Sequence, residues 1–265
     1  MRLYVEGVGL IGPGLNGWQG SRAVLAQSSG YTAAPTLVTA SDLLPPAERR
    51  RTGMPVKLAL AAGCAAFDHA GRDAAATSTV FTSSAGDGDN LHHICATLAS
   101  AEREISPTRF HNSVHNAAAG YWSIATRSRE PSTSLCCHDS SFAAGLLDAA
   151  AQVTAGGKAV GLIAYDQPYP EPMHTVRPLS ASFGMALILT PEATARAIAG
   201  LDVTFVPGVA TETRMCDGGL EALRTTVPAA RSLPLLAALA GSASGVIILG
   251  YGSKNHLSVK VTPWP

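Results

Sequence analysis

Cys136, Cys137, His138 and Asp139 stand side by side in PSTSLCCHDSSFAAGLLD, between a β-prone run and an Ala-rich stretch of helical period. A thiol at such a turn sits on a helix N-terminus, where the helix dipole and unsatisfied backbone N–H groups lower its pKa and can stabilise an oxyanion. Cys137 or Cys136 as nucleophile, with His138 or a distant histidine as base, is the sharpest catalytic reading. Against it stands a simpler one: two small cysteines pack at a crowded turn while Asp139 or Ser140 caps the helix.

Other clusters offer less chemistry. His92, His93 and Cys95 suggest a metal, but consecutive residues of a helix point in different directions, so helix surface or interface is the favoured reading. His111 and His115 are four apart, in a Pro- and Asn-flanked segment read as loop, where a structural hydrogen-bonding role is favoured. SSAGDGDN follows a strand and precedes a helix as a dinucleotide loop would, yet Asp87 and Asp89 would repel phosphate. GVGLIGPG has the glycines but is followed by no clear helix. No cofactor and no metal are therefore expected.

The elements that must carry these residues alternate between short apolar strands and Ala-rich helices, the pattern of a layered α/β domain. Strands are expected over residues 3–11, 79–83, 132–136, 160–164, 182–190 and 203–206, and a closing hairpin pairs 245–249 with 256–261. Helices are expected over 57–70, 90–101, 141–153 and 233–240; FHNSVHNAAAGYWSIAT reads as loop running into helix, with Asn116 as cap. In the helix at 90–101, Leu91, Ile94 and Leu98 share one face. PEPMHTVRP reads as a Pro-rich surface loop able to touch a partner.

The 265 residues are 46% hydrophobic and 14% charged, enough to bury a core as one domain spanning 1–265. Nineteen basic and nineteen acidic side chains balance, which argues against nucleic acid or an anionic membrane as partner. The low charge suits a buried protein–protein interface. Glu6 and several glycines interrupt the apolar N-terminus, and no later run approaches a membrane span, so a cytoplasmic location is expected. Cysteines at 64, 95, 136, 137 and 216 are an odd set without regular spacing and are read as free thiols.

The order of segments resembles that of β-ketoacyl synthases. LYVEGVGLIGPG resembles their opening strand and turn, NSVHNAAAGYWSI their PNxAAGxxSI segment, and PSTSLCCHDSSFAAGLLDAA their nucleophile strand, turn and helix, TACATSxxAI. GGKAVGLIAYD is similar to GxADxxLAGG, SFGMALILT to the strand ending in LVLE, and GYGSKNHLSVKV to the closing GFGGTNxxLxF hairpin. The resemblance implies a thiolase-like layered α/β/α fold with a shortened second half.

Departures from the pattern bear on function. Ungapped alignment through Ser141-Phe142 puts His138 at the nucleophile position and leaves Cys137 one residue short. The HGTGT and GHxxGAAG motifs, which supply the two histidines for decarboxylative condensation in that family, do not occur. The resemblance then implies a non-catalytic subunit, similar to the chain-length factors of type II polyketide and aryl-polyene synthases, that pairs with a full-length ketosynthase acting on acyl chains carried by acyl carrier protein. Residues 132–136 would pair across the heterodimer, and Asn112, His115, Asn116, Ser134, Cys136, Tyr251 and Asn255 would lie at the interface or tunnel, with His138 and Asp139 plugging the tunnel end. The alternatives are a stand-alone thiolase-fold acyltransferase or thioesterase using Cys137 or His138, and a homodimer with a degenerate site.

Overall fold

The structure, a computed structural model, describes residues 1–101 and 103–265. In chain order it contains β1 (Arg2–Gly12), β2 (Leu15–Asn16), α1 (Trp18–Leu25), α2 (Pro46–Arg49), α3 (Met54–Ala70), β3 (Ser78–Thr82), α4 (Gly88–Ala99), α5 (Pro107–Asn112) and α6 (Ala117–Thr126). There follow β4 (Ser132–Leu135), α7 (Ser141–Gly156), β5 (Val160–Asp166), α8 (Met173–Val176), β6 (Phe183–Thr190), β7 (Ala199–Pro207), α9 (Gly218–Thr226), α10 (Leu233–Ala240), β8 (Gly245–Tyr251) and β9 (Asn255–Pro263).

The strands form one mixed sheet in the order β4-β3-β5-β6-β1-β7-β9-β8, with β2 paired to β1. β3 runs parallel to both β4 and β5, while the remaining pairs are antiparallel. The central strands read as continuous apolar runs because both their faces are covered. In β5, Leu162 faces the cluster under α7 and α10, and its neighbour Ile163 faces the cluster under α3 and α6. These two cores, one on each side of a single sheet, make the expected α/β/α layering.

α3 lies close on β1 because Gly7 and Gly9 offer no side chain: a Cβ at either would collide with the Ala66 or Ala62 carbonyl. Gly71, in the left-handed conformation, ends that helix. Asp87 caps α4 by accepting from Asn90 N at 3.1 Å, as its place before the helix implies.

Several expectations need correction. GVGLIGPG is followed by a helix, α1, which starts on Gly17 without a side-chain cap and is only eight residues long. Phe110–Asn112 are helical, because Pro107 opens α5 with its φ preset. Asn116 occupies the N-cap position of α6 but makes no side-chain cap hydrogen bond. The Pro-rich loop contains the one-turn helix α8. Ser140 occupies the N-cap position of α7 but makes no side-chain cap hydrogen bond. α9 went unread because it opens on Gly218-Gly219; Asp217 caps it, accepting from Gly219 N and Leu220 N.

Candidate functional site

The C-terminal ends of the parallel strands β3, β4 and β5 point to one side of the sheet, and the chain from β4 turns there into α7 through a 3₁₀ turn, His138–Ser140. His138 holds a φ of 51°, the left-handed region that a residue with a Cβ adopts at a cost. Ser141 fastens the turn: its Oγ accepts from Cys137 N at 3.0 Å and donates to the His138 carbonyl at 2.7 Å. Ser140 Oγ accepts from Gly252 N at 2.9 Å, which ties the β8–β9 turn to the elbow.

His138 is therefore the residue at the sharpest point of the elbow. Its side chain is 71% exposed, and Asp139 Oδ1 lies 3.5 Å from Nδ1, outside good hydrogen-bond geometry. Cys136 is exposed and its thiol donates to the Ser84 carbonyl at 2.8 Å, while Cys137 is half-buried. Among the described residues neither thiol makes a hydrogen bond to a histidine. Cys64, half-buried, is pushed up to about 11 by burial and is a thiol, not a thiolate, at neutral pH.

Behind the elbow stands a chain of ion pairs. Asp139 pairs with Arg177 at 2.7 Å and with Arg231 at 3.4 Å. Arg231 continues to Glu212 at 3.2 Å, Glu212 to Arg224 at 2.8 Å, and Arg224 grips both oxygens of Glu221 at 2.8 Å. The bidentate Arg224 holds the Glu221 carboxyl down at about 2. The space left among Asp139, Phe142, Ala143, Glu212, Arg231 and Leu249 is a cavity of about 10 Å³, too small for an acyl chain.

A buried carboxylate lies beneath the same turn. Asp166, fully buried at the end of β5, accepts from Ser84 N at 2.8 Å, Ser83 Oγ at 3.2 Å and Ala229 N at 2.8 Å. Burial outweighs these bonds and pushes its carboxyl up to about 6.

The other expected site residues are scattered around this centre. Asn112 is buried and engaged within the chain, donating to the Arg51 carbonyl at 2.7 Å and accepting from Tyr121 OH at 2.9 Å. His115 Nε2 lies 3.3 Å from the Ser83 carbonyl, and His111 packs edge-on against Tyr121, so the two histidines have different partners. Tyr251 stacks edge-on with Phe205, and Asn255 faces Tyr251 across the β8–β9 pair. Ser134 lies in β4, its Oγ buried with no hydrogen-bond partner among the described residues.

β4 is the outer strand of its side of the sheet. Thr79 N donates to Pro131 O and Ser83 N to Leu135 O, so the alternate residues Ser132, Ser134 and Cys136 turn their N–H and C=O groups away from β3. Next to this open edge, past Ser84 and Tyr169, α4 and α8 form an apolar groove of about 460 Å³ lined by Leu91, His92, Cys95, Pro170, Met173 and Val176. On α4, Leu91 is 47% and Leu98 49% exposed, so the face they share points to solvent and not into the core, and Val176 of α8 beside it is 85% exposed.

Fold and elbow together define a layered α/β/α protein with a sharp strand-to-helix turn at His138. The family described as β-ketoacyl synthase, N-terminal domain, matches residues 18–237, and the chain belongs to that family. No curated protein sequence matches it. Among solved structures, the ketosynthase ApeO in complex with its chain length factor ApeC from Xenorhabdus doucetiae superposes with a TM-score of 0.74 at 21% identity, over 98% of this chain and 99% of the matched one. The ishigamide ketosynthase/chain length factor gives 0.74 at 15% identity with full coverage of both chains. A β-ketoacyl synthase from Burkholderia phymatum gives 0.64 at 14% identity, over 87% of this chain and 70% of that one. These likenesses establish the thiolase-like fold, in a chain shorter than a full synthase.

The sequence reading missed the arginine clamp, because Asp139, Arg177, Glu212, Arg224 and Arg231 are far apart in the chain and follow no motif. Asp166 carried one signal: Tyr165-Asp166 stands where the resembled LAGG segment has glycines.

Proposed function

We propose that the chain is a non-catalytic, chain-length-factor-like partner of a full-length β-ketoacyl-ACP synthase in polyketide, aryl-polyene or fatty-acid-type biosynthesis. The observation that carries the reading is the contrast at the elbow: the turn is kept, with His138 at its tip, while charged pairs fill the space behind it down to about 10 Å³. A condensing subunit needs a thiol, two histidines and room for an acyl chain. This chain keeps the shape that a partner recognises without those means.

The edge of β4 would continue the partner's sheet by strand addition, with Ser132, Ser134 and Cys136 presenting the free backbone groups. The apolar groove of α4 and α8 is contiguous with that edge through Tyr169, which touches Gly88 and bonds Ser84, whose carbonyl holds Cys136. The same partner would cover both. Full mutual coverage with chains from ketosynthase/chain length factor complexes, against partial coverage of the Burkholderia synthase, supports this assignment. Acyl chains on acyl carrier protein would be the substrate of the pair, and this subunit would shape the acyl tunnel from its side of the interface.

Co-expression with a full-length ketosynthase from the same source, followed by size-exclusion with light scattering, tests the pairing. The expected result is one peak of 1:1 mass at micromolar concentration; two separate peaks contradict it.

A further inference from the structure

The sheet ends on a second edge strand, β8, and it is unlike the first. β4 is four residues long and rich in hydroxyls, whereas β8, GVIILGY, is seven residues long with no charge and no proline. A long apolar edge without those guards is the kind that pairs with other chains. Ile247 and Leu249 of β8 enter the core, and the residues between them face the other way. On that outer face Val246, Ile248 and Gly250 lie opposite Lys260, Ser258 and His256 of β9. β9 thus shows polar side chains there and β8 shows none; Val246 is 54% exposed.

Along this edge runs a strip of the irregular segment between β7 and α9. Thr213 exchanges two bonds with Ile248: its N–H donates to the Ile248 carbonyl at 3.1 Å, and its Oγ accepts from Ile248 N at 2.9 Å. Both outward groups of the middle residue of the edge are thereby closed. Glu212 lies over Gly250, where a Cβ would strike its carboxylate. Arg224 pins the strip at both ends, since it pairs with Glu212 at 2.8 Å and holds Glu221, whose carboxylate accepts from Met215 N at 2.9 Å. Met215 itself is buried in the core cluster.

We propose that residues 212–215 are a built-in cover over a latent strand-pairing edge, and that the occupant a bare edge would take is β8 of a second copy, antiparallel and centred on Ile248. A two-fold pairing sets Ile248 against its own copy and Val246 against Gly250, so apolar and small side chains meet with no charge to oppose them, and the outward backbone groups of both strands are bonded. While the cover is in place, β4 is the open edge and strand addition is confined to one end of the sheet. The closure is a property of the isolated chain and does not rest on the identity of any partner.

Glu212→Gln together with Thr213→Val removes the charge pairs and the hydroxyl acceptor while keeping the size of both side chains. The test is run on the full chain in a Ser134→Pro background, which blocks pairing at β4, by sedimentation velocity and by amide hydrogen exchange. With the cover intact, the chain should stay monomeric at about 100 μM with a protected Ile248 amide. In the double variant the Ile248 amide should exchange about tenfold faster in dilute solution, and the chain should become a dimer at about 100 μM. Adding Ile248→Lys, a charge on the pairing row, should restore the monomer. A double variant that stays monomeric, a dimer that survives Ile248→Lys, or a covered chain that already pairs through Ile248 overturns the proposal. Should the double variant not fold, Thr213→Val alone is read by the same measurements against the same outcomes.

Discussion

Two hollows flank the segment from Cys136 to Ser140, and they are opposites. The one behind the elbow, where Asp139, Glu212 and Arg231 meet Phe142 and Leu249, is about 10 Å³; the one between α4 and α8 is apolar and about 460 Å³. Ion pairs line the small hollow together with Phe142 and Leu249, while apolar side chains remain bare in the large one. The difference teaches where the two kinds of side chain gather: ion-paired groups crowd the first hollow, and exposed apolar groups line the second.

The comparison breaks most readily at the open edge. Ser134→Pro removes an outward-facing N–H without touching the β3–β4 ladder, so the isolated chain should melt within about 2 °C of its normal value while association with the full-length synthase weakens about 100-fold or more. A titration by interferometry reads the loss, and undiminished binding would show that strand addition is not the mode.

At the ion-pair chain, Arg224→Met takes the bidentate partner from Glu221 while Glu212 keeps Arg231, and it replaces a guanidinium that is only 7% exposed. The expected cost is about 3 kcal/mol in urea unfolding, with binding to the partner retained in the folded fraction. If stability instead holds, the clamp is ornamental to the fold.

The pH profile of stability sharpens the same contrast. Asp166 has its folded pKa raised from 3.8 to about 6, so its contribution is greatest below 3.8 and is lost as pH rises through 6. Converted at one pKa unit per 1.36 kcal/mol, the full loss is about 3 kcal/mol, of which about 2 kcal/mol falls between pH 4.5 and pH 7.5, seen as the difference in urea stability between the Asp166 chain and Asp166→Asn. Glu221, lowered to about 2, loses its contribution only below about 4.5, so the two windows separate above pH 5.

Smaller effects are expected at single apolar contacts. Val176→Asp or Met173→Asp should weaken partner binding about 10-fold each, with the melting temperature unchanged because both side chains are exposed. Smallest of all is His138→Cys, which restores a thiol at the elbow but no histidines and no cavity; product analysis with malonyl- and acyl-loaded carrier protein should find no condensation by the isolated chain.

Much of the scaffold was legible in the sequence. β1, β3, β5, β6 and the β8–β9 hairpin announce themselves by apolar runs between Gly and Pro, and α3, α7 and α10 by Ala- and Leu-rich periods closed by glycine. Short elements such as α1, α5, α8 and α9 escaped, since a helix of two turns held by tertiary contact has little local signal. At the elbow, the ungapped alignment sets His138 against the nucleophile position, and His138 is the residue of that turn with a positive φ. What fills the elbow was not legible, because an ion network assembled from Asp139, Arg177, Glu212, Arg224 and Arg231 exists only once the chain has folded. The apolar face of α4 was seen, but a periodicity cannot say whether core or partner will cover it.

Intact mass spectrometry on the purified pair, incubated with acyl-loaded carrier protein, tests the central claim most directly. The account predicts an acyl adduct on the full-length synthase alone, with this chain at its unmodified mass; an adduct on this chain, at Cys136, Cys137 or His138, would contradict it.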